Sequence, residues 1–143
     1  MHYVRVEKIK ADIYERWYEL SIKGDDESSI WAYSVDTEEY AGEHIETVSG
    51  MVGKELYADF SVEWVNNYQI VGVLDVLGIE QTIQESSHVV VEGIVKKVID
   101  EYTILCNVGK LGVIRVDFEE KIKEIQIDSC IIFTGNLRVE FQK

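Results

Sequence analysis

Eight carboxylates crowd one stretch of this 143-residue chain. Residues 24–53 hold Asp25, Asp26, Glu27, Asp36, Glu38, Glu39, Glu43 and Glu46, with no Lys or Arg among them. Carboxylates at this density can hold a hard cation, meet a basic surface, or keep a loop in water. A calcium loop sets its oxygen ligands at alternate positions around a turn glycine. No Asp-x-Asp-x-Asp-Gly spacing occurs here, so no metal is expected. A solvated acidic loop and a partner-binding surface remain. The eight residues form the candidate partner-binding set, and a basic protein is the partner their charge implies.

Other chemistry is sought and not found. Gly50-Met51-Val52-Gly53-Lys54 has a glycine and lysine in the manner of a phosphate loop. However, the required first glycine falls at Val48, and Glu55 stands where Ser or Thr is needed. His2, His44 and His88 are far apart and lack motif partners, so surface or turn positions are expected for them. No Gly-x-Ser-x-Gly, His-Glu-x-x-His or Gly-x-Gly-x-x-Gly occurs. No catalytic residue and no cofactor is assigned, and enzymatic activity is left open with the balance against it. Trp17, Trp31 and Trp64 read as core or sheet-face residues. A single-strand-binding platform would want bases beside them, and only Arg16 and Lys23 are at hand on the neighbouring strands.

The net charge of −13 argues against non-specific nucleic-acid binding and against docking on anionic lipid. The two cysteines, Cys106 and Cys130, sit in apolar strand patterns and read as buried thiols in a reducing compartment; a disulfide between them is the alternative. The charged, alternating start Met1-His2-Tyr3-Val4-Arg5-Val6-Glu7 is unlike a signal peptide, and no apolar run is long enough to span a membrane. A soluble cytoplasmic protein is therefore expected.

The elements that would carry these residues read as strands. In Leu56–Trp64, Leu56, Ala58, Phe60, Val62 and Trp64 alternate with polar-bearing residues, the period of a half-buried strand. Strands are also expected around Val4–Ile9, over Ile13–Ile22 and over Ile30–Val35, with Trp31, Tyr33 and Val35 on one face. Asp36–Gly53 is a loop or carries a short helix. Asn66-Asn67 breaks the pattern, Ile70–Val76 reads as a further buried strand, and Gly78–Ser87 reads as a connector or short helix.

The pattern then returns. Phe133–Phe141 aligns with Leu56–Trp64, and Val6–Gly24 aligns without gaps on Val91–Gly109. Trp31, Tyr33 and Val35 fall over Ile114, Val116 and Phe118. The expected fold is all-β: two tandem barrel-like or sandwich units with little helix, the first over 1–76, a connector over 77–88, and a shorter second unit over 89–143. Gly93 in the second copy's first strand reads as a bulge or bend. The strand sequence resembles that of an oligonucleotide/oligosaccharide-binding (OB) barrel. That resemblance implies a fifth strand, which Ile70–Val76 would supply to the first copy and which the second copy lacks. The second barrel would then stay open, be completed by the first copy, or pair with another molecule as a homodimer. The function expected is non-enzymatic protein binding, by an adaptor, an assembly subunit or an inhibitor of a basic partner. The alternative is an OB-like oligonucleotide- or oligosaccharide-binding module.

Overall fold

The computed structural model describes residues 1–12, 15–24, 28–35 and 50–142. These residues contain no helix, and their nine strands belong to a mixed sheet, so the all-β expectation holds. The strands are β1 (His2–Ala11), β2 (Glu15–Ile22), β3 (Ser29–Val35), β4 (Glu55–Val71), β5 (Gly78–Glu80), β6 (His88–Val98), β7 (Thr103–Asn107), β8 (Val113–Phe118) and β9 (Cys130–Phe141). They fall into two compact units. Unit 1 is Met1–Asp59, Ile83–Ser87 and Arg138–Lys143; unit 2 is Phe60–Thr82 and His88–Leu137. Each unit thus draws on both of the runs 1–76 and 89–143.

In unit 1, β1 runs antiparallel to β2 and also to the start of β4, from His2↔Ala58 to Arg5↔Glu55. β2 pairs antiparallel with β3, and β3 pairs in parallel with the end of β9 at Tyr33↔Arg138. The Gln142 N–H donates to the Tyr57 carbonyl at 2.9 Å, linking the chain just past β9 to β4. Period-two alternation sends Val4, Val6, Tyr18, Leu20, Ile30, Ala32, Ala58 and Val139 inward, each buried. Burying one of the larger aliphatic side chains contributes about 1.5–3 kcal/mol. The β1–β2 register slips between Val6 and Lys8, a bulge at Glu7.

In unit 2, β6 pairs antiparallel with β7, β9 and the short β5. β7 pairs antiparallel with β8, and β8 pairs in parallel with β4 from Ser61↔Arg115 onward. β9 in turn lies beside β4. The interior holds Phe60, Val62, Val65, Val89, Val91, Val95, Ile104, Cys106, Val116, Ile131, Phe133 and Leu137. The β6–β7 register slips between Val95 and Lys97.

Several local expectations need correction. Asn66-Asn67 does not end a strand, because β4 continues to Val71. The break in alternation comes earlier, at Trp64, whose φ is 58° and where the β4–β8 register shifts between Val62 and Val65. The extra residue reverses the faces. Trp64 turns outward and is 49% exposed, while Val65 takes its place in the core. Ile70–Val76 is not a separate buried strand. β4 ends at Val71, and Ile70, Val73 and Val76 are exposed. Gly78–Glu80 forms β5 rather than a connector or helix. Gly93 does not sit at the bulge: a Cβ there would lie 2.5 Å from Cys106 Sγ and 2.8 Å from the Asn107 carbonyl oxygen, so glycine is needed for close strand approach. Gly135 plays the same part against β4, where a Cβ would meet Val62 at 2.7 Å and the Glu63 carbonyl at 2.9 Å.

Candidate interaction surfaces

The eight candidate partner-binding acids, Asp25, Asp26, Glu27, Asp36, Glu38, Glu39, Glu43 and Glu46, lie outside the described residues, as does His44. The tryptophans are dispersed. Trp31 is buried, Trp17 is half-buried and Trp64 is exposed. Arg16 is not a base beside them. It falls on the inner face of β2 with Tyr18 and Leu20 and is 8% exposed. The cation near Trp17 is instead Lys10, whose ammonium lies 5.8 Å from the ring centroid. Lys10 is the β1 partner of Trp17 across the ladder, a pairing that only the register reveals. Trp31 and Tyr33 point away from the Ile30–Ala32 core face yet are 9% and 2% exposed, so they do not form a bare stacking platform.

Unit 1 has a half-polar face on β1 and β4. Tyr3 and Tyr57 are direct cross-strand partners, and their rings meet edge to face at 4.8 Å. The Lys23 ammonium is ion-paired with Glu55, which also accepts a hydrogen bond from the Tyr3 hydroxyl. The hydrogen bond from Lys23 holds the Glu55 carboxyl below its ordinary range. Partial burial, then the Glu55 charge, push the Tyr3 hydroxyl above its own. The amino terminus lies 3.6 Å from Asp59, which also accepts from the Gln142 side-chain amide at 2.9 Å. The charges on this face are matched within the unit.

Unit 2 differs. From Ile70 to Leu77 the chain reads Ile-Val-Gly-Val-Leu-Asp-Val-Leu, with one charge in eight residues. Val73 is 82% exposed, Val76 70% and Ile70 43%. Next to this run, Val76, Gly78, Ile79, Glu80, Val90 and Glu92 line a shallow cleft of about 160 Å³ on β5 and β6. A second cleft, of about 140 Å³, lies beside Tyr68, Phe118, Lys121 and Lys123. There the Tyr68 hydroxyl accepts the Lys123 N–H and donates to the Lys123 carbonyl, both at 3.1 Å, pinning the chain that follows β8.

No metal-ligating cluster of three or more His, Cys, Asp or Glu side chains occurs among the described residues, and no helix among them is long and apolar enough to cross a membrane. Cys106 and Cys130 are free thiols. Cys106 is buried, and desolvation pushes its pKa up to about 12; Cys130 is only half-buried. No protein-family model matches the chain, and no curated protein matches it. The sequence reading missed the Ile70–Val76 surface. Its signal was the run itself, which had no strand partner once β4 had taken Asn66-Asn67.

Proposed function

We propose that this chain is a non-enzymatic protein-binding β module, an adaptor or assembly subunit, that meets a basic partner through combined acidic and apolar surface. The observation that carries the reading is the exposed Ile70–Val76 run. Single exposed apolar residues are ordinary, but three within seven residues of one segment supply apolar surface that another molecule could cover. The net charge of −13 supplies the sign of that molecule and speeds its encounter. An inhibitor of a basic enzyme is the sharper form of the reading. Two free thiols fit a reducing compartment such as the cytoplasm. The test is capture of a partner by the full chain at low and at moderate salt, with Val73→Asn/Val76→Asn alongside. A partner held equally well at both salts, and equally well by the variant, would sink the reading.

A second reading rests on strand order. In unit 1 the pairings run β1-β2-β3-β9-β4 and back to β1; in unit 2 they run β6-β7-β8-β4-β9 and back to β6. Both follow the order first, second, third, fifth, fourth, first, with third and fifth parallel, which supports two OB-like barrels. β4 would be the fourth strand of one and the fifth of the other, and β9 the reverse. The bulges support duplication. Val6 lies opposite Leu20 just before the slip in β1, and Val95 lies opposite Cys106 just before the slip in β6. An oligonucleotide or oligosaccharide ligand then follows by analogy of fold alone. Tryptophan fluorescence titrated with single-stranded DNA and short glycans tests it, and a flat response to both ends it.

A further inference from the structure

We infer that the β5 edge of unit 2 docks an extended, lysine- or arginine-bearing segment of the partner protein, which adds to β5 as a further strand. The inference rests on the protein-binding reading above and names its site. Among the described residues β5 has one ladder, to β6, with Gly78↔Glu92, Ile79↔Val91 and Glu80↔Val90, and it stands at the end of the strand order. A strand so placed offers backbone N–H and C=O groups to another extended chain. Sheet edges are commonly guarded by short length, charge (lysine above all), proline or a bulge; β5 is short, at three residues, and carries Glu80. This chain has no proline, and residues 76–82 have no lysine.

The cleft beside this edge sets the chemistry of the incoming side chain. Val76, Ile79 and Val90 are its apolar part, and Glu80 and Glu92 are its charged part. Among the described residues, neither carboxylate has a hydrogen-bond or ion-pair partner. A cationic side chain on a long apolar stem fits: the methylenes lie along the valines and the head reaches the carboxylates. The same two charges, with Asp75 nearby, disfavour a second copy of this net −13 chain at the edge.

The test titrates the full chain with labelled synthetic peptides in which lysine alternates with valine, read by fluorescence anisotropy and by backbone amide NMR. Two control peptides carry glutamate for lysine, or N-methyl groups on alternate backbone nitrogens. The lysine peptide is expected to bind and to shift the amide signals of Gly78, Ile79 and Glu80. Its affinity should fall about tenfold in Glu80→Gln/Glu92→Gln, exposed changes that the NMR spectrum checks for a retained fold. The glutamate and N-methylated peptides should not bind. Equal binding of the N-methylated peptide would rule out strand addition. Failure of the lysine peptide to bind, or binding unchanged in the double variant, would overturn the site. A cellular partner retained by that variant as well as by the unaltered chain would leave protein binding standing and refute the β5 assignment.

Discussion

The two units are alike inside and different outside. β1 and β6 each carry one bulge, and the strand that follows each alternates in burial, in β7 from Ile104 onward. On the outer side of β2 and β3 stand Trp17, Trp31 and Tyr33, two of them buried. The outer side of β7 and β8 has Leu105, Val113, Arg115 and Asp117 instead, with Val113 52% exposed and Arg115 ion-paired to Asp117 at 3.0 Å. Interior alternation is demanded by a buried core in both units, so it says little about role. The outer faces are under no such demand, and any working surface must be sought there. Unit 1 neutralises its described β1–β4 face with Lys23, Glu55, Asp59 and the amino terminus. Among the described residues, unit 2 leaves Val73, Val76, Glu80 and Glu92 without such partners.

The strongest way to break the likeness is to hollow each core in turn. Phe133→Ala in unit 2 should cost about 3–5 kcal/mol and Leu20→Ala in unit 1 about 2–5 kcal/mol, since both side chains are almost wholly buried. β4 and β9 each contribute residues to both units. Urea unfolding should therefore show one transition that both variants shift, and two transitions moving separately would show units that fold on their own. A smaller effect is expected at the glycines. Gly135→Ala forces a methyl against Val62 and the Glu63 carbonyl and should destabilise by about 1–3 kcal/mol. Gly72→Ala, with nothing within 4 Å of the new methyl, should be neutral or slightly stabilising by the same measurement.

These positions also mark what could be read from the chain alone. The alternation of Val4 and Val6, or of Phe133, Leu137 and Val139, is a direct imprint of one buried face, so the strands could be placed. Register could not. The alignment that sets Val6 over Val91 and Leu20 over Leu105 lies four residues and one residue from the bulge-based matches of Val6 with Val95 and Leu20 with Cys106, and an odd shift is the difference between the two faces of a strand. Leu20 and Cys106 are fully buried, whereas Leu105 is half-buried. Trp64 was misplaced for a similar reason: a bulge is a backbone event, and no residue type around Glu63 announces it. β5 was missed because three residues are too few for a period to appear. The acidic candidates were legible as composition, but composition does not say which charges converge.

Below the packing variants comes a difference in thiol reactivity. Cys106 lies in the unit 2 core, and its pKa is raised to about 12, while Cys130 is half-buried at the start of β9. At pH 8 an aromatic disulfide reagent should label Cys130 and leave Cys106 slower by about a hundredfold or more, until urea unfolds the chain. Equal rates in the folded protein would mean that the β6–β7 core opens readily. The sign of the linkage follows from the raised value. The fold favours the protonated thiol, so this contribution is present below the ordinary value of 9.0 and is lost as the pH rises from there towards about 12.

The smallest effect belongs to the matched face of unit 1. Glu55 is held below its ordinary 4.5, chiefly by the hydrogen bond from Lys23. Its contribution to stability is therefore present above that ordinary value and lost as the pH falls through the lowered one. Because the pair is exposed, Lys23→Met should leave the unfolding midpoint almost unmoved at neutral pH. The informative readout is the side-chain carboxyl signal of Glu55 in a pH titration, whose midpoint should rise towards the ordinary value in Lys23→Met. A Glu55 midpoint unmoved in Lys23→Met would mean that Lys23 does not neutralise this face, and the contrast between a neutralised and an open surface would then fail.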